Sequence, residues 1–284
     1  MYYLKQKTTG SHPGAAPDLS RCAELLRDGS AGLVFDPVPH EYSVAGRPVR
    51  SVSSVVEHYS SFDAEAMARA CSANPKGKYY GMSVEDILRL WKENADAAAA
   101  AGTSVHAFGE ACYLWASGRE DEIDAAYGNR IRPEGLFAED GKETAAAKWW
   151  ADLDASRYIP AAKEARVYNP ELGYAGTFDL LLYDTAEGCF RLKDYKTNKD
   201  IHSWTGGAYM KGAFRKILPD NDLGHYTLQQ TLYIIELRNL GLDIRSADLI
   251  WLRENGDYEE VPIDLQYEKL IYNTVKRDFA PTRQ

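Results

Sequence analysis

The chain is poor in cysteine, with four in 284 residues, at 22, 71, 112 and 189. None belongs to a C-x-x-C pair and none has a histidine at zinc-ligand spacing. Neither a zinc ribbon nor a disulfide framework is therefore expected, and buried thiols in a reducing compartment are the simplest reading. Long hydrophobic runs are lacking too. The longest uncharged apolar stretch, residues 97–105, is about half of the roughly 20 residues a bilayer span requires. The first ten residues carry charge without an apolar h-region, so no secretory leader is expected and the chain is read as cytoplasmic. A surplus of basic charge is also missing: 33 Lys and Arg against 42 Asp and Glu leave −9. That balance excludes a uniformly cationic nucleic-acid coat.

What is present is ordinary globular composition, 45% apolar and 26% charged, enough for one large domain or two small ones. Residues 1–19, rich in Gly, Pro, Ser and Thr, read as a flexible lead-in. Residues 20–101 read as an N-terminal hairpin and helical subdomain, and 102–284 as the core. Ser83 is placed to cap a helix carrying Val84, Ile87, Leu88 and Trp91, and a second helical register begins near Thr103. Strands are expected at 164–168, 173–183 and 189–197, then a long basic loop over 198–222, a helix at 226–240, two more strands and a closing helix. The order predicts an α/β (α+β) fold in which a central mixed β-sheet is flanked by helices.

The stretch that carries chemistry is Gly176-Thr177-Phe178-Asp179, followed by Asp194-Tyr195-Lys196-Thr197. Residues two apart on a strand share a face, so Asp194 and Lys196 project together while Tyr195 turns away. A hairpin partner bearing Asp179 brings a second carboxylate to them, a hard oxygen site suited to Mg²⁺ or Mn²⁺. Taken alone, an Asp-x-Lys on a strand is most often a solvated edge. Here it has company: His106 and Glu110 lie at i and i+4 on one helix face, and Gln229 and Tyr233 at the same spacing on another. The pair Trp149-Trp150 reads as core.

Together these residues resemble the PD-(D/E)XK nuclease superfamily, in particular its RecB-like and phage exonuclease branch. The pattern G-T-x-x-H-x-x-x-E, G-x-x-D, D-x-K-T and Q-x-x-x-Y runs in order through residues 102–233, and the His40-Glu41-Tyr42 hairpin is similar to the lead-in of phage members. The resemblance implies a restriction-endonuclease-like core over 102–284 and a divalent-metal-dependent DNA nuclease, an exonuclease rather than a sequence-specific endonuclease. Its setting would be recombination, repair or phage DNA processing in a bacterial or phage-infected cell, with DNA and a recombination or replication protein as partners. His106, Asp179 and Asp194, helped by the Tyr195 carbonyl, would ligate Mg²⁺ or Mn²⁺, as one ion or two. Lys196 would be the catalytic lysine. Glu110 would hold a second ion or its water, and Glu164, in Glu164-Ala165-Arg166-Val167, would stand behind the ligands or serve a second ion. Gln229 and Tyr233 would contact the DNA backbone or brace the active-site strand. Phe178 stands where the name motif has Pro. No Cys follows Cys189, so the resemblance does not extend to the members with an iron-sulfur cluster. The same fold without turnover would serve as a DNA-end or partner-binding adaptor.

The charge is uneven. Residues 191–216 hold seven Lys and Arg against two Asp, a local balance of +5 that leaves −14 for the rest. Lys193, Lys199, Lys211, Arg215 and Lys216, with Trp204 among them, are candidate DNA contacts. The alternative for this segment is a solvated loop whose aromatics pin it to the core. Oligomeric state is left open.

Overall fold

The structure is a computed structural model that describes residues 2–5, 16–203 and 207–280. The chain opens with β1 (Tyr2–Leu4) and α1 (Ala16–Gly29), then a three-stranded antiparallel unit of β2 (Leu33–Asp36), β3 (Glu41–Val44) and β4 (Arg47–Ser51). Helices α2 (Val52–Tyr59), α3 (Ala64–Ala73) and α4 (Val84–Ala116) follow. A short α5 (Ala125–Gly128), the strands β5 (Ile131–Arg132) and β6 (Gly135–Ala138), and α6 (Gly141–Asp152) lead into the long strands β7 (Tyr158–Asn169), β8 (Tyr174–Asp184) and β9 (Cys189–Lys196). The chain closes with α7 (Asp222–Asn239), β10 (Ile244–Leu252), β11 (Tyr258–Pro262) and α8 (Glu268–Phe279).

Eight strands form one mixed sheet, β11-β10-β9-β8-β4-β3-β2, with β7 on the other edge of β8. β1 joins β5 and β6 in a small second sheet, so part of the expected lead-in is a strand and part is the first turn of α1. Apolar residues sort to two layers. One packs α2, α7 and α8 against Phe178, Leu181, Leu192 and Leu249, and the other packs α4 and α6 against Leu180, Leu182, Tyr195 and Ile250. The molecule is thus α+β, a central mixed sheet flanked by helices.

Two findings depart from the sequence reading. Ser83 caps α4 as expected, accepting from the Asp86 N–H, but the two helical registers are a single helix of 33 residues. The boundary expected at 101/102 falls inside it. Residues 92–101 are exposed on every side, so no core holds these turns. Alanine, the best intrinsic helix former, keeps them helical where packing contributes nothing. Nor does the hairpin stand apart, because β4 pairs in parallel with β8 through Arg50↔Tyr174 and Ser51↔Ala175.

β8 is the strand on which everything converges. β7 pairs with it along most of its length, while its opposite edge is shared. β9 covers Leu180–Asp184 and β4 covers only Tyr174 and Ala175. Between them, residues 176–179 face a gap where β9 and β4 part. Gly176 lies there with no room for a side chain, since a Cβ would sit 2.6 Å from the Tyr233 ring and 3.0 Å from Val52.

Glu236 on α7 is 3% exposed. Burial, against weaker opposition from Asn239 and Asn169, pushes its pKa from 4.5 up to about 7. A raised folded-state value means stability is intact below the unfolded value and is lost as pH rises through 7. Glu236→Gln is therefore expected to stabilise the fold at pH 8 by up to about 3 kcal/mol, and to change little at pH 4. Urea melts at the two pH values measure the difference.

Candidate functional site

Where β8 and β9 part, the β9 backbone finds a side chain instead of a strand. The Tyr195 N–H donates to Asp179 Oδ2 at 2.8 Å, and the same oxygen is 3.2 Å from His106 Nδ1. Across the sheet, the pairs Lys163↔Leu180 and Ala165↔Phe178 set Glu164 opposite Asp179. Glu164 has φ 42°, a left-handed backbone that costs a non-glycine residue of order 1–3 kcal/mol and concentrates at functional sites. The alternation of β8 slips at the same level. Phe178 and Leu181 pack in one layer although they are three residues apart, which a regular strand forbids.

The result is a convergence of three donors. His106, Glu164 and Asp179 each place a ligand atom within 4.8 Å of the others. Beside them Asp194, 3% exposed, is ion-paired with Lys196, whose Nζ also lies 3.4 Å from Gln229 Oε1 and 4.3 Å from the centre of the Tyr226 ring. The Asp194 oxygen that meets this ammonium, Oδ2, is itself buried. A tight crevice without room for a water lies beside these residues, lined among others by Glu110, Lys163, Glu164 and Asp179.

The electrostatics follow from crowding several carboxylates against two cations. Burial pushes the Asp194 carboxyl up, and the charge of Asp179 adds to it. Asp179 moves the other way: burial opposes its charge, but His106, Lys196 and the Tyr195 amide outweigh that and hold it below the usual carboxylate range. Glu164 is raised to about 8 by burial and by Asp179 and Glu110, against weaker opposition from His106. Burial works against the charged forms of His106 and Lys196, yet their carboxylate neighbours prevail, lifting His106 to about 9 and Lys196 above the ordinary lysine value. Lys196 holds its proton and is a fixed cation rather than a base.

Most of the residues expected from sequence meet here, with changes of role. Glu164 is a member of the converging set, not a residue behind it. Asp194 is not within that set, because the lysine two residues along its own strand draws its carboxylate aside. Glu110 is ion-paired with Lys163, which no spacing in the sequence singled out. Tyr233 is buried against Gly176, so it braces β8 and cannot reach a ligand in solvent, whereas Gln229 is half-buried at the Lys196 ammonium. Tyr195 contributes its amide, and its ring turns to the opposite layer, where its hydroxyl accepts from Trp150 Nε1 at 2.8 Å. Gly109 of α4 lets that ring approach, since a Cβ there would lie 2.6 Å from it. Gly109→Ala is expected to cost about 1–3 kcal/mol through overpacking. Because the ring cannot shift without moving the Tyr195 amide, the variant should also disturb the bond from that amide to Asp179, read from the amide's hydrogen exchange.

The basic run divides in two. Lys193 is 8% exposed and pairs with Glu260 at 2.5 Å and Asp248 at 3.1 Å, so it cannot contact a ligand. Strand alternation puts it on the Tyr195 face, where a charge must be matched internally. Lys199, Lys211, Arg215 and Lys216 are exposed and form no ion pair with a described residue. Phe214 and Met210 are fully buried and anchor this loop to the core. Trp204 lies outside the described residues. A second acidic cluster, Asp184, Glu187 and Cys189, is neutralised instead by Arg157 at 2.8 Å and Arg191 at 3.0 Å from Asp184. No helix among the described residues is long and apolar enough to cross a membrane. Neither the protein-family models nor the curated proteins contain a match to this chain.

Proposed function

We propose that this chain is a divalent-metal-dependent DNA nuclease with a restriction-endonuclease-like core, acting as an exonuclease on phosphodiester bonds. The observation that carries the reading is the convergence of His106, Glu164 and Asp179 beside the Asp194–Lys196 pair, at the point where β8 and β9 part. The residues fit a hard divalent ion: two carboxylates and an imidazole converge, and a third carboxylate, Asp194, lies beside them against the Lys196 ammonium. His106, Glu164 and Asp179 would hold Mg²⁺ or Mn²⁺, with Asp194 and the Tyr195 carbonyl at its edge. Such an ion supplies positive charge to a phosphate and acidifies a water bound to it. Lys196 provides a permanent ammonium beside the ligands, able to offset charge that develops on the phosphate oxygens. Gln229 orients that ammonium, and Tyr226 and Asp194 shield it from solvent.

The four exposed cations that follow β9 support DNA as the substrate. Each phosphate neutralised contributes about −0.9 to the slope of log affinity against log salt. Replacing both Lys211 and Lys216 by Gln is expected to flatten that slope by about 2, measured by titrating labelled DNA at several salt concentrations. The reading itself is tested on labelled linear and circular DNA with Mg²⁺, Mn²⁺ or EDTA. Wild type should degrade the linear form only with metal, and Asp194→Ala should not. Equal cleavage by the two proteins would end the proposal.

A further inference from the structure

Three of the five large hydrophobic side chains left exposed among the described residues are Phe62, Met67 and Tyr80, on the segment that carries α3 and the turn into α4. Phe62 and Tyr80 are each 60% exposed, an unfavourable way to display an aromatic ring unless something covers it. The rings are grouped: Phe62 and Tyr79 flank Trp91 at centroid distances of 6.4 and 5.9 Å. Between α3 and α4, residues 74–82 contain Lys76 and Lys78 and no acidic residue. Both lysines are exposed, neither forms an ion pair with a described residue, and Lys78 Nζ lies 4.6 Å from the centre of the Tyr79 ring.

This loop is built rather than slack. Gly77 N–H donates to Asn74 O at 2.9 Å, Tyr80 N–H to Gly77 O at 3.2 Å, and Gly81 N–H to Ser72 O at 3.0 Å. Ser72 Oγ donates to Met82 O at 2.6 Å and closes it. The platform also joins the basic loop after β9. The backbone and hydroxyl of Ser61, next to Phe62, both donate to Asp220 Oδ2 at 2.5 Å, and Lys211 N–H donates to Tyr59 O at 2.6 Å. Asp220 immediately precedes Asn221, the cap of the helix that carries Gln229 to Lys196. The α3–α4 segment is therefore tied both to the basic loop after β9 and to the start of the helix that carries Gln229.

From this arrangement we infer that the α3–α4 turn is a binding platform for single-stranded DNA, holding unpaired bases on Phe62 and Tyr80 and their phosphates on Lys76 and Lys78. A duplex hides its base faces inside the stack, whereas a single strand offers each one to a flat ring flanked by cations. On a chain of net charge −9, a loop of only positive charge complements a polyanion. The inference rests on the nuclease reading above and makes its substrate a strand with an unpaired end.

The test uses the full chain in EDTA, so that binding is separated from cleavage. The probes are a fluorescein-labelled oligo-dT of about 20 nucleotides, longer than the roughly 4–16 nucleotides that single-strand folds occupy, and a blunt duplex of the same length. Phe62→Ala combined with Tyr80→Ala is expected to weaken oligo-dT binding about tenfold or more, and duplex binding by less than about threefold. Lys76→Gln with Lys78→Gln should weaken oligo-dT binding and flatten its salt dependence. Exposed side chains leave the thermal melt unchanged, which excludes misfolding as the cause. Oligo-dT binding at wild-type strength by the aromatic variant, or equal loss on both probes, would overturn the platform. Metal-dependent cleavage by wild type would stand in that case. A wild type that neither binds these probes nor cleaves linear DNA would instead remove the nuclease reading and the platform together.

Discussion

Replacing Lys196 by Met is expected to lower metal-dependent cleavage by about 10²–10³-fold while leaving Mn²⁺ binding in place. The magnitude is that of removing one preorganised electrostatic donor from a partly dry site. The ammonium is held by Asp194 and by the π-face of Tyr226 at 4.3 Å, and it stays protonated despite its burial. Methionine keeps the length and the apolar contacts but removes the charge. It also leaves Asp194 buried without its cation, which costs several kcal/mol in the metal-free chain. Cleavage should therefore be compared only under conditions where both proteins are folded by their melts. Pairing the change with Asp194→Asn would restore folding without restoring cleavage. Lys196→Arg keeps the charge, but its planar fork does not fit a position shaped for a point charge, so it should not recover full activity. A Met variant with wild-type turnover would show that the ammonium has no part in the chemistry.

The second large effect has opposite signs in two states of the same protein. Glu164→Gln is expected to stabilise the metal-free chain by about 1–3 kcal/mol, because the carboxyl is raised to about 8 by burial and by Asp179, Glu110 and Asp194, which the charge of His106 only partly offsets. The same change should weaken Mn²⁺ binding at least about tenfold, about 1.4 kcal/mol, since one of three converging donors loses its charge. Melting curves with and without Mn²⁺ give both numbers. The metal-free melt should rise and the metal-induced increment should shrink. If Glu164 were an ordinary strand residue, neither would move. Repulsion that destabilises the empty chain and is relieved by a bound cation is the usual signature of a site kept for function rather than for stability.

Much of the candidate site was legible because its parts lie on regular elements. The i, i+4 spacing of His106 and Glu110 needs only a helix, and Asp194 and Lys196 share a face by the pleat of a strand. The β8–β9 hairpin followed from two extended runs joined by a turn. What escaped depends on departures from regularity. The role of Glu164 turns on a left-handed residue inside a strand, which propensity argues against rather than for. Lys163 meets Glu110 across two elements, β7 and α4, a contact that no spacing within one element reveals. Lys193 was misplaced for a different reason: a count of charge along the chain ignores alternation, and its neighbours Asp194 and Tyr195 already showed which way it must point. The boundary expected at 101/102 followed the start of the G-T-x-x-H-x-x-x-E motif and of a second helical register, whereas α4 passes through that point without breaking. The restriction-endonuclease-like assignment remains a reading of the motifs and the geometry they form.

The free-standing stretch of α4 has a mechanical meaning. Trp91 and His106 are on one helix of 33 residues, and at about 1.5 Å per residue the fifteen steps between them span about 22 Å. Helical alanine behaves as a strut of fixed length and fixed phase. One alanine added within 97–101 would turn the aromatic end by about 100° about the axis. Seven would bring it back nearly to its original face, about 10 Å farther out. The alanine count acts as a ruler, fixing both the distance and the relative rotation between the aromatic cluster at Trp91 and the His106 side chain.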